Sequence, residues 1–98
     1  MAGNPYVGGP WRAGTTQTVA FTGTAGTISN AVGSQTRVVR VYCTAAAFVL
    51  IDNAPTATTA AVPIAANTPE YFVCTPGQKV SAIQQSAGGN LHVTEMTR

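Results

Sequence analysis

The sequence predicts an all-β domain, a single antiparallel sandwich or jelly roll of about eight short strands. Three observations carry that expectation. Apolar and β-branched residues fall in short runs at 8–12-residue spacing, separated by Gly, Pro, Asn and Asp. No segment shows the 3.6-residue apolar period of a helix. Several runs instead alternate apolar and polar residues, as a strand with one covered face does.

The longest strand-forming stretch is Arg37 to Asp52, RVVRVYCTAAAFVLID. It reads as the centre of the domain, with the other segments added around it. Thr36, Val38, Arg40 and Tyr42 point to one face, and Arg37, Val39, Val41 and Cys43 to the other. Phe48 to Ile51 is a continuous apolar run, as expected of a strand covered on both sides. Ala45 to Ala47 is too short to nucleate a helix and reads as a bend or bulge.

The remaining elements follow in order. Residues 1–16, MAGNPYVGGPWRAGTT, form an extended Pro/Gly-rich arm in which no regular element is expected. Residues 17–98 form the sandwich. Gln17 to Thr22 alternates Val19 and Phe21 with polar neighbours. Thr27 to Ala31 is a short strand carrying Ile28. Asp52-Asn53-Ala54-Pro55 has turn chemistry, and Thr56 to Ala61 is a small-residue loop or edge strand. Val62-Pro63-Ile64 belongs at a sheet edge, because Pro63 cannot donate to a ladder. In Glu70 to Thr75, Tyr71 and Val73 share one face and Phe72 and Cys74 the other. Thr75-Pro76-Gly77 is a tight turn. Lys79 to Ser86 is a strand, and Ala87 to Asn90 closes a hairpin into Leu91 to Thr97.

Composition narrows the function classes. At 98 residues the chain is one domain, large enough to hide roughly 60–70% of its unfolded surface. Much of the 45% hydrophobic content is Ala, so the core is modest and self-association into a dimer or trimer would add stability. Charged residues make up 8% of the chain, against about 25% in ordinary soluble domains. A Thr-, Ser- and Gln-covered surface costs little to desolvate and suits a subunit held against other subunits. The basic residues Arg12, Arg37, Arg40, Lys79 and Arg98 are scattered, which argues against nucleic acid as partner. No run approaches the length of a membrane span, and the N-terminus lacks the order of a signal peptide. Those features point to synthesis and use in a cytoplasm. Cys43 and Cys74 are expected as two buried thiols.

Catalytic chemistry is sparsely supplied. The carboxylates are Asp52, Glu70 and Glu95, and the one histidine is His92. Nothing in their spacing pairs an acid with a base. No phosphate-binding loop, nucleophile elbow or zinc motif is present. The expectation is a protein that is not an enzyme, with no cofactor and no metal. The candidate functional residues are partner-binding ones. Tyr6 and Trp11, with Val7, are large apolar groups in an arm that cannot build its own core. They fold back on the parent sandwich, anchor with Arg12 on a neighbouring subunit, or belong to a disordered arm. Thr56, Thr58 and Thr59 form a Thr-rich edge that could add a strand to a partner sheet.

Two segments together carry a family resemblance: RVYCTAAAFVLIDNAPTATTAAVPIAANTPEYFVCTPGQKV and AIQQSAGGNLHVTEMTR. The succession of "AFVLIDNAPTAT", "PEYF", "TPGQKV" and "SAGGNLHVTEM" resembles small proteins of tailed-bacteriophage structural gene clusters. It covers Arg37 to Arg98. The resemblance implies a virion component of the capsid decoration, or cement, type. Such a subunit binds the outer surface of the major capsid protein shell, after synthesis in the host cytoplasm. Two rival expectations are a head-fibre base or receptor- or glycan-binding sandwich, and a tail or connector component.

Overall fold

The computed structural model describes residues 12–97, and within them the chain forms eight strands and no helix. The strands are β1 (Arg12–Phe21), β2 (Gly26–Thr27), β3 (Val38–Cys43), β4 (Ala47–Asp52), β5 (Val62–Ile64), β6 (Glu70–Val73), β7 (Lys79–Gln84) and β8 (Gly89–Thr97). They make two four-stranded sheets, ordered β1-β8-β3-β6 and β2-β7-β4-β5. All strand pairs are antiparallel. The first pairs with the eighth, the second with the seventh, the third with the sixth and the fourth with the fifth. This nested pairing is a long ribbon rolled into a sandwich, the jelly-roll arrangement.

The core lies between the sheets. Val39, Val41 and Cys43 of β3 and Leu91 and Val93 of β8 face Ala47 and Val49 of β4 and Val80 and Ala82 of β7, all buried. Phe21 and Ile28 close one side. Full burial of each large side chain contributes about 1.5–3 kcal/mol, so the few large residues carry much of the stability. The second face of β3 in the sequence reading is thus the inner one, and Val38, Arg40 and Tyr42 lie on the outer face, half-buried.

Four expectations are refined or corrected. First, the Arg37–Asp52 stretch is central, and it supplies an internal strand to each layer. β3 and β4 are internal strands of different sheets, and the bend at Thr44–Ala46 carries the chain across the sandwich. Second, β7 and β8 do not form a hairpin; they too lie in different sheets. In a rolled ribbon a short connection crosses between layers, and only β4 and β5 pair as sequence neighbours. Third, the arm ends earlier than its composition suggests. Strand β1 begins at Arg12, because Arg12 and Ala13 pair with Thr97 and Met96 at the end of β8. The register shifts between Ala13 and Thr16, so Gly14 is accommodated in a bulge rather than breaking the strand. Fourth, of the loop and the edge strand expected for Thr56 to Ala61, Thr56 to Thr59 takes the loop.

Other expectations hold. β5 with Pro63 is an edge strand, and Thr75 to Gln78 is a tight turn, with Gln78 N–H donating to Thr75 O at 3.2 Å. Gly77 has φ 91°, the conformation a type II turn requires at its third position.

The loop 53–61 covers the outer face of the second sheet. Pro55 and Ala57 are buried there. Ala57 N–H donates to Ser81 Oγ at 3.0 Å, and the Thr27 hydroxyl lies 3.2 Å from Pro55 O and 3.1 Å from Ser81 Oγ. Ser81, fully buried, is satisfied by these partners. Among the described residues no buried side-chain polar atom lacks a hydrogen bond.

Candidate interface

The ionisable side chains are dispersed and occupied with structure. Asp52 ends β4 and accepts from Asn53 N–H at 2.7 Å. Glu70 is exposed at the start of the edge strand β6. Glu95, on β8, accepts from Gly33 N–H at 3.0 Å, and the buried Thr36 hydroxyl donates to the same oxygen. It therefore holds the loop between β2 and β3 against the end of the sandwich. Among the described residues no three His, Cys, Asp or Glu side chains gather as a metal site would need.

His92 lies on the outer face of the first sheet, opposite Thr18 on β1 and Tyr42 on β3. Its Nδ1 is 2.8 Å from Thr18 Oγ1, and its ring centroid is 6.0 Å from that of Tyr42. The Arg40 guanidinium lies 5.6 Å from the Tyr42 ring centre, and Tyr42 OH donates to Asn67 Oδ1 at 3.0 Å. The alternation of β8 already placed His92 with Thr94 and Met96. Its partners on β1 and β3 come only from the fold.

Both cysteines are free and buried. Burial pushes the Cys43 thiol up to about 11. The Cys74 thiol is raised by burial and by the nearby Glu95 carboxylate, with Arg37 opposing. Neither is activated as a nucleophile.

What stands out is the distribution of exposed apolar groups. The exposed large hydrophobic residues of the described chain are Val62 at 51%, Tyr71 at 38% and Val73 at 82%. All three lie on the edge strands β5 and β6, which border the same side of the sandwich. Between those edges is a cleft of about 400 Å³, lined by Ile51, Ala60, Ala61, Val62, Phe72 and Val73 among others. No charged residue lines it. The opposite side of the sandwich is closed. There β2 lies so near β1 that a Cβ on Gly26 would stand 2.1 Å from Ala20 O, and Gln17 exchanges two hydrogen bonds with the Asn30 backbone at 2.9 and 3.0 Å.

The edges around the cleft are blunted for strand addition. Pro63 removes a donor from the three-residue β5, and Pro69 and Glu70 precede and start β6. The side chains there remain apolar and open. This arrangement fits insertion of a side chain into the cleft better than pairing of a partner strand.

Val73 also ends a cross-strand row. Ala13 on β1, Met96 on β8, Val38 on β3 and Val73 on β6 are successive partners on the outer face of the first sheet. The row runs from the root of the N-terminal segment to the lip of the cleft.

Of the residues the sequence singled out, Tyr6 and Trp11 lie outside the described residues. Arg12 is exposed at the start of β1. Thr56, Thr58 and Thr59 are exposed on the loop over the second sheet, and the Thr58 carbonyl and hydroxyl accept from Ala61 N–H and Ala60 N–H. They are not beside Arg12, which belongs to the other sheet. The sequence reading missed Val62 and Val73 as candidate contacts. Pro63 marked β5 as an edge, and an edge aliphatic next to a proline was the available signal.

Comparison with protein-family models, curated proteins and solved structures finds no match to this chain.

Proposed function

We propose that the protein is a structural virion subunit of a tailed phage, of the capsid decoration or cement type. In this reading it is synthesised in the host cytoplasm. It then binds the assembled head from outside through the major capsid protein, acts as a homo-oligomer and carries out no chemical transformation. The observation that carries the reading is the apolar, uncharged side between β5 and β6 on a chain with 8% charged residues. Such a surface loses little on desolvation and gains from apolar burial, which suits permanent contact with protein. The resemblance of residues 37–98 to small phage structural proteins supplies the setting.

A subunit that binds only the assembled shell stabilises it by mass action. Many copies, each adding a modest interface, brace the shell without any one contact being strong. Arg12 and the exposed Thr56, Thr58 and Thr59 are the proposed polar contacts with the shell.

The test is cryo-electron microscopy of shells incubated with the purified protein. Density repeated over the icosahedral lattice is expected. Density restricted to a vertex or tail, or none on the head, refutes the reading. A companion variant should lack residues 1–11 only, because removing Arg12–Thr16 would take away half of β1.

A further inference from the structure

Trp11 is the single tryptophan of the chain and directly precedes β1. Residues 1–11 contain no charged side chain. The β5/β6 cleft is likewise uncharged, and its volume of about 400 Å³ exceeds the roughly 150 Å³ that accommodates benzene in an engineered cavity. An indole therefore fits it in both size and polarity.

The root of the arm and the cleft stand at opposite edges of the first sheet. Ala13 and Val73 lie three strand spacings apart, about 14 Å. Trp11 is joined to the Ala13 end of the row through Arg12. The cleft opens beyond Val73, on the far side of β6. A neighbouring copy brings the two edges together. When the β1 edge of one copy lies beside the β5/β6 side of the next, the root of the arm is level with Val73, because Ala13 and Val73 share one row. The N-terminal half of β1, Arg12–Thr16, is exposed and free to take that position.

We propose that copies of this chain associate side by side and head to tail, with Trp11 of one copy seated in the β5/β6 cleft of the next. The contact is heterologous: the β1 edge gives the anchor and the opposite edge receives it. Such contacts close into rings when the rotation permits. The proposal rests on the β5/β6 side being a protein-docking surface, as under the proposed function, and commits that side to self-association. It does not depend on the identity of the shell.

The test uses the full chain without capsids. Sedimentation velocity and Trp emission are followed as concentration rises. The wild type should oligomerise, with emission shifting to the blue in parallel. Val73→Asp, at a position 82% exposed, should keep the fold. It should stay monomeric with unshifted emission, its association weakened by at least about thirtyfold, as for loss of an interface anchor. Val62→Asp provides a second block of the cleft. Trp11→Ala should also be monomeric. An equimolar mixture of Trp11→Ala and Val73→Asp should form a dimer and nothing larger, because one copy keeps the cleft and the other the anchor.

A monomeric wild type overturns the proposal. So does self-association of the variants at wild-type strength, blue-shifted emission from monomeric Val73→Asp, or a mixture that remains monomeric. Oligomers that behave as expected but do not bind heads would refute the cement reading and leave this inference standing.

Discussion

Removing the Glu95 carboxylate should be the most damaging single change at the rim of the sandwich. Its oxygen accepts from Gly33 N–H and from the Thr36 hydroxyl, and these bonds span 62 and 59 residues of sequence. Thr36 is only 1% exposed, so its hydroxyl has no ready access to water once the acceptor is gone. Hydrogen bonds to charged groups contribute about 1.5–3 kcal/mol each. Glu95 is only partly buried, so the lower value applies, and Glu95→Ala should cost about 3 kcal/mol. That is a large part of the roughly 5–15 kcal/mol available to a domain of this size. Thermal unfolding should shift down by about 12–24 °C, at about 4–8 °C per kcal/mol. Glu95→Gln keeps an oxygen in place but makes both bonds neutral, and neutral bonds are roughly half as strong. Its expected cost is about 1.5 kcal/mol. Urea unfolding at matched protein concentration measures both, with Thr36→Val and the double variant completing a cycle. A loss below about 1 kcal/mol for Glu95→Ala, or equal losses for Ala and Gln, would refute the assignment of Glu95 as the acceptor that holds this loop.

Three further outcomes follow from the coordinates. Gly26→Ala should destabilise by about 3 kcal/mol in urea unfolding, since its Cβ would stand 2.1 Å from Ala20 O and must push β2 off β1. Thiol reagents should label Cys43 and Cys74 only as fast as the native state opens, and labelling at the rate of a free thiol would contradict their burial. Stability should fall as pH rises from the free-thiol value of 9.0 through about 11. The native state keeps the Cys43 proton that the unfolded chain releases, so this contribution is complete below pH 9.0 and lost above about 11. Cys43→Ala should flatten that alkaline decline in pH-dependent unfolding curves.

Features set by local chemistry were legible in the sequence. Period-two alternation separated the two faces of β3 and of β6 correctly. Pro63 placed β5 at an edge, and Pro76-Gly77 marked a tight turn. Features set by the layer a strand joins were not legible. A short polar connection looks the same whether it reverses within a sheet or crosses to the other one. The β7–β8 connection therefore reads as a hairpin within one sheet. The start of β1 was hidden for a related reason. Gly14 and the preceding prolines argue against a strand, but pairing with the last residues of β8 supplies the hydrogen bonds that local propensity does not. Glu95 had no local signal, because both of its partners come from a loop about 60 residues earlier. The exposure of Val73 was equally invisible. Alternation put it on the face of Tyr71, but nothing in the sequence shows that this face of β6 has no covering element.

A jelly roll by itself does not choose between a lectin, an enzyme and a shell subunit, since the same architecture serves all of them. The position of the uncovered apolar surface is more discriminating. Receptor- or glycan-binding sandwiches need contact groups that converge on a ligand, and the loops at the ends of the sandwich are the natural place for them. Here the loop tips carry mainly small and polar residues, Tyr42 is engaged with Asn67 and Arg40, and the exposed Tyr71 lies on an edge strand. Among the described residues the exposed large apolar side chains lie instead on the flank, where one sheet edge faces another. A flank is the part of a sandwich that meets a neighbour when identical units are laid side by side. Its closed counterpart, where β2 lies on β1, makes the two flanks different from one another. A unit with one receiving flank repeats in a single direction, which is what the proposed side-by-side association requires.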